Sequence, residues 1–127
     1  MPRAHVFSRT VCLLTGVCYS AFGAFLFVRP YTFWRRFAPI GAFNEHYTRD
    51  VGRFLLPLGL LLVVAASDPR RSRVVVRLAA GGSGLHAVSH FLDGIGSTRD
   101  VISDLALSTV AVLLLLATFG LEESETR

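Results

Sequence analysis

The chain has 127 residues, 52% of them hydrophobic, a formal charge of +4 and a mean hydropathy of +0.52. A soluble domain of this length keeps more polar surface, because small domains bury only part of their chain. Here the apolar residues run in four blocks of about 20 residues, which leaves short connections and no room for a second domain. All thirteen basic residues are arginine. They flank the apolar blocks, as they do in membrane proteins, so the basic balance does not point to nucleic acid. Arginine without lysine, beside abundant Ala, Gly, Val and Leu, fits a GC-rich bacterial genome.

The first block, residues 10–28, carries no charge and follows a basic start. It is longer than the apolar core of a signal peptide, and Ser20, Ala21, Phe22 and Gly23 make a poor cleavage site, so it reads as a retained span. Gly16, Ser20 and Gly23 form a strip of small residues that lets helices pack closely. Cys12 and Cys18 are six residues apart, too far round one helix to bridge, and read as small packing residues. Arg29 and Pro30 end the block. Residues 31–47 are aromatic-rich, with Phe33, Trp34 and Phe37 on one helical face and Arg35 and Arg36 beside them, the pattern of a short segment lying in the membrane interface.

The second span covers residues 47–67 and must include Val51, Gly52 and Arg53 to be long enough. Pro57 inside it frees a backbone carbonyl and kinks the helix. After a basic turn, the third span runs over 74–92, and Gly81, Gly82, Ser83 and Gly84 in its middle predict close helix packing rather than a phosphate loop. A Gly-containing turn leads to the fourth span, 101–121, with Asp104 its one charge. The expected fold is all-α: a single-domain integral membrane four-helix bundle with an interfacial aromatic segment between spans one and two. The arginines at 70, 71, 73 and 77 orient it with both termini in the cytoplasm.

In such an up-down bundle, the end of spans one and three and the start of spans two and four share one side. Nearly every titratable group that enters a span lies there. His46 and Asp50 are i, i+4, and Asp50 and Arg53 i, i+3. His86, His90 and Asp93 share a face, and Asp100, Asp104 and Ser108 form a stripe. Ionisable groups in spans face the bundle interior or a water cavity, so these stripes are expected to converge. His86, His90, Asp50 and Arg53 are the candidate catalytic residues. His46, His90 and Asp104 are candidates for holding a cofactor, and His86, His90 and Asp93 for a metal such as Zn, Fe or Cu. The ligand classes are a quinone, a haem or a transition metal. Two other readings stand beside them. In one the cluster only pairs helices in a non-enzymatic accessory subunit, through Asp50 with Arg53 and Asp104 with Arg49 or Arg53. In the other it performs acid/base chemistry on a lipid.

The sequence His46-Tyr47-Thr48-Arg49-Asp50-Val51-Gly52-Arg53, the His86-x-x-x-His90-x-x-Asp93 close of the third span, the length, the four spans and the aromatic first loop together resemble the DoxX-like group of small bacterial four-helix membrane proteins. The resemblance covers most of the chain. It implies a multi-pass protein of the bacterial cell membrane, associated with membrane oxidoreductases and quinone-linked sulfur or redox metabolism. Its partners would be the lipid bilayer and a membrane oxidoreductase or a second copy of itself. No individual catalytic residue carries over.

Overall fold

The computed structural model describes residues 2–39, 41–93 and 98–122. They form five helices in order: α1 (Pro2–Val28), α2 (Pro30–Phe37), α3 (Glu45–Ala65), α4 (Arg73–Asp93) and α5 (Thr98–Glu122), with no strand among the described residues. Each of the four apolar blocks lies on one long helix, and the aromatic segment supplies the short α2.

Local chemistry sets the boundaries. α1 has no breaker until Pro30, which sits in the first turn of α2, where its missing N–H costs nothing. Asn44 caps α3: its side chain accepts from the Tyr47 amide at 3.0 Å, and Glu45 places negative charge at the helix N-terminus. α3 continues through Pro57 as one helix. Asp68 accepts from the Arg71 amide at 3.2 Å and so holds the turn into α4.

The helices associate as two antiparallel pairs. α1 against α3 is the more extensive, α4 against α5 comes next, and α1 also packs on α5. The first pair is close because both helices have glycine on the shared face at i, i+7. A Cβ at Gly59 would sit 2.4 Å from the Ser20 amide nitrogen and 2.7 Å from the Gly16 carbonyl oxygen. One at Gly23 would sit 2.4 Å from the Leu56 nitrogen, and one at Gly52 2.7 Å from the Gly23 oxygen. Only backbones without side chains approach this closely.

The apolar core lies toward the end that holds the start of α1 and the close of α5. There Cys12, Leu62, Val76, Leu114 and Ala117 are fully buried. Polar links fasten the same end. Ser8 Oγ donates to the Ala117 carbonyl at 2.9 Å, and Arg9 Nε donates to the Ala66 carbonyl at 3.0 Å. Midway, the Tyr19 and Ser83 hydroxyls meet at 2.7 Å and tie α1 to α4.

At the other end α2 folds back on α1. Phe33 and Phe37 stack edge-on against Phe22 and Phe25, with ring centroids 5.7–6.2 Å apart. Trp34 is not on that face: with Tyr31 it packs against Phe43, at 5.6 Å and 5.2 Å. The single aromatic face read from the sequence is therefore two clusters, because residues 33 and 37 are one turn apart while 31 and 34 lead round the helix.

Two other expectations need correction. Gly81, Gly82 and Gly84 do not mediate close packing: a Cβ at any of them would meet nothing within 4 Å. α4 turns Val76, Ala79, Ala80 and Ser83 inward instead. Of the two free cysteines, Cys12 packs in the core and Cys18 is exposed.

Among the described residues, two helical stretches, His5–Val28 and Asp100–Phe119, are long and apolar enough to cross a membrane.

Candidate functional site

The residues read as one convergent cluster form two separate groups. The first lies along α3. His46 Nε2 is 3.1 Å from Asp50 Oδ2, and Asp50 also pairs with Arg53. The Arg53 guanidinium sits over the Phe27 ring of α1, 5.6 Å from its centroid. All of this lies at the surface: the side chains of His46, Asp50 and Arg53 are 82%, 38% and 51% exposed. Arg49 pairs with Glu45 at 2.8 Å one turn away. These are i, i+3 and i, i+4 contacts within one helix, which stabilise it slightly and steer charge along its surface.

The second group bridges α4 and α5. His90 Nδ1 approaches Asp104 Oδ1 at 3.3 Å. Asp104 is buried, with 8% of its surface exposed, and neither carboxylate oxygen has a hydrogen-bond partner among the described residues. His86 lies one turn before His90, ring centroids 5.0 Å apart and planes at 55°. His86 is exposed and His90 half-buried, so the group runs from the buried Asp104 out to the surface of α4.

Helix geometry explains the separation. Asp104 faces α4, and Ser108, one turn on, is already exposed. α3 touches α4 over a much smaller area than it touches α1, and Asp50 and Arg53 are engaged beside α1. No described ion pair or hydrogen bond joins the two groups. Asp104 accordingly pairs with His90, not with Arg49 or Arg53. The Asp50–Arg53 pair is present as read. Asp93 closes α4, and its side chain lies outside the described residues, so the His86, His90 and Asp93 metal set has two described members. Among the described residues no three His, Cys, Asp or Glu side chains gather as a metal site.

The Tyr19–Ser83 link escaped the sequence reading, and it had no local signal: two hydroxyls 64 residues apart show their relation only once α1 and α4 are assembled. Gly52 and Gly59, the partners of the strip on α1, also escaped it, although their i, i+7 spacing was a signal that could have found them.

Chemically, the α4–α5 group can do two things. A buried carboxylate without donors accepts a hydrogen bond from a hydroxyl or amine brought to it, and the loss of water there makes that bond worth more than at a surface. The neighbouring imidazole can donate to a carbonyl or take up a proton. Together they can hold a small head that carries oxygen and exchange a proton with it. The α3 group is exposed and offers no unused acceptor, since Arg53 and His46 engage both oxygens of Asp50.

Compared with protein-family models, with curated proteins and with solved structures, the chain matches none of them.

Proposed function

We propose that this is a multi-pass protein of a bacterial cell membrane, spanning it with α1, α3, α4 and α5, and that it binds a quinone headgroup at His90 and Asp104. Support for the bilayer comes from what the helices leave uncovered. Only 33% and 28% of the residues in the most apolar windows of α1 and α5 are buried. On α3 and α4, Phe54, Leu78, Leu85, Phe91 and Leu92 are 71–80% exposed. A monomer in water rarely leaves contiguous apolar surface of this kind bare, whereas hydrocarbon solvates it. The basic turn before α4 lies at the same end as the start of α1 and the close of α5, so the positive-inside tendency puts both termini in the cytoplasm.

The observation that carries the ligand reading is the buried, unbonded carboxylate of Asp104 beside His90. Leaving such a group unsatisfied costs about 1–3 kcal/mol, which a ligand that donates to it recovers. A quinol hydroxyl donates to Asp104, and a quinone carbonyl accepts from an imidazole N–H of His90. His86, Leu85 and Phe91 are exposed on the same helix, and in a bilayer they would meet the lipid from which an apolar-tailed quinone arrives. Two histidines with a carboxylate that contacts one of them make a poorer metal or haem site than a hydrogen-bonding one. In this reading the electrons belong to a partner membrane oxidoreductase, and this chain holds the headgroup and exchanges its proton.

The test is equilibrium binding of a radiolabelled benzoquinone bearing a short alkyl tail to protein in detergent. Saturable binding that weakens about tenfold or more in Asp104→Asn and His90→Phe is expected, the size of a lost hydrogen bond to a charged group. No saturable binding, or binding unchanged in both variants, would refute it.

A second reading rests on the same contact: His90 and Asp104 join α4 to α5, so the pair could serve helix pairing in a non-enzymatic accessory subunit. It differs in the sign of one stability effect, given in the Discussion.

A further inference from the structure

Between α4 and α5, in the half of the bundle away from His90, a cavity of about 340 Å³ opens on the outer surface. Arg77 stands at its mouth, and Ala80, Gly81, Gly84, Ala111 and Leu115 line it. From Arg77 to Gly84 it extends about 10 Å along α4, seven residues at the helical rise. Apart from Arg77, its polar member is Thr118, whose hydroxyl is already used on the Leu115 carbonyl at 2.6 Å. The groove exists because α4 carries glycine where a side chain would fill it. Unlike the glycines of the α1–α3 pair, these have open space above them.

Arg73 lies one helical turn before Arg77 at the start of α4, and Arg70 and Arg71 lie in the turn that precedes it; all four are exposed. A cationic entrance leading into an apolar trough is complementary to one class of molecule, an anionic amphiphile: phosphate at the arginines and hydrocarbon over the glycines. We infer that this groove is a binding site for an anionic phospholipid, with the headgroup phosphate at Arg77 and one acyl chain lying over Gly81 and Gly84. The inference rests on the membrane reading above and is independent of the quinone site.

The groove can be filled without disturbing the fold, because a Cβ at Gly81 or Gly84 meets nothing within 4 Å. Native mass spectrometry of the detergent-solubilised protein, with phosphatidylglycerol or phosphatidylcholine of identical chains, tests it. Phosphatidylglycerol is expected to be retained over phosphatidylcholine. Gly84→Leu is expected to abolish retention without lowering the melting temperature, and Arg77→Gln to weaken it about fivefold, the contribution of one basic residue at an anionic surface. Three outcomes overturn it. One is no headgroup preference, and another is full retention in Gly84→Leu. The third is a wild-type dimer that Gly84→Leu converts to monomer without loss of lipid, which would mean that a second copy covers the groove. A chain that stays in solution without detergent would instead refute the membrane reading, a result distinct from all three.

Discussion

Replacing Gly59 by alanine adds one methyl group at the closest point of the α1–α3 interface. Its carbon would lie 2.4 Å from the Ser20 nitrogen, 2.5 Å from the Ser20 hydroxyl and 2.7 Å from the Gly16 carbonyl oxygen. Comfortable separation begins near 3.5 Å, so the two backbones must part by about 1 Å. The hydroxyl can rotate away, but the amide and carbonyl belong to a helix and cannot. Separation loosens the packing along the most extensive interface in the molecule, so the penalty falls at the upper end of the overpacking range, about 3 kcal/mol. Gly84→Ala is the matched control. It makes the same chemical change in a long helix with nothing within 4 Å, and only the better helix propensity of alanine acts there, worth up to ~1 kcal/mol of stabilisation. Unfolding of the two variants in mixed micelles, followed by circular dichroism, measures the contrast. A Gly59→Ala protein as stable as wild type would refute the close approach of α1 and α3.

Asp104→Leu is expected to raise stability by about 1–3 kcal/mol while quinone binding is lost, since it removes a buried carboxylate that accepts no hydrogen bond and has only the 3.3 Å approach of His90 beside it; a loss of stability in the same unfolding assay would favour the helix-pairing reading. Asp50→Asn and Arg53→Gln, singly and together, are expected to give a coupling energy below about 1 kcal/mol in a double-mutant cycle, because the pair is exposed. Ser8→Ala removes the buried bond to the Ala117 carbonyl and is expected to cost about 1 kcal/mol by denaturant titration, loosening α5 from α1.

Much of the architecture was legible in the sequence because its causes are local. Apolar block length, Pro30, the basic turn before α4 and the aromatic run determine where helices begin and end. The i, i+4 relations of His46 with Asp50 and of His86 with His90 are likewise properties of single helices. What depends on how one helix meets another was not legible. Spacing puts Asp104 on a face of α5, but only assembly selects His90 of α4 as its neighbour and leaves Arg49 and Arg53 elsewhere. The expectation that the polar stripes converge failed for this reason, and α3 is drawn to α1 by the glycines at 16, 23, 52 and 59. The same limit applies to the glycines of α4. A run of small residues permits close packing, but the opposing helix must present its own gap, and at Gly81 and Gly84 none does.

The central claim is that these helices lie in a bilayer, and Cys18 tests it most directly. It is exposed on α1 within the stretch His5–Val28, while Cys12, the other cysteine, is buried. Expressing cells are lysed, the membranes washed with alkaline carbonate, and the washed fraction treated with a charged, water-soluble maleimide before and after addition of SDS. The account predicts that the chain stays with the membranes and that Cys18, surrounded by hydrocarbon, reacts only after SDS. A chain released by carbonate, with Cys18 labelled at once in the absence of detergent, would contradict it.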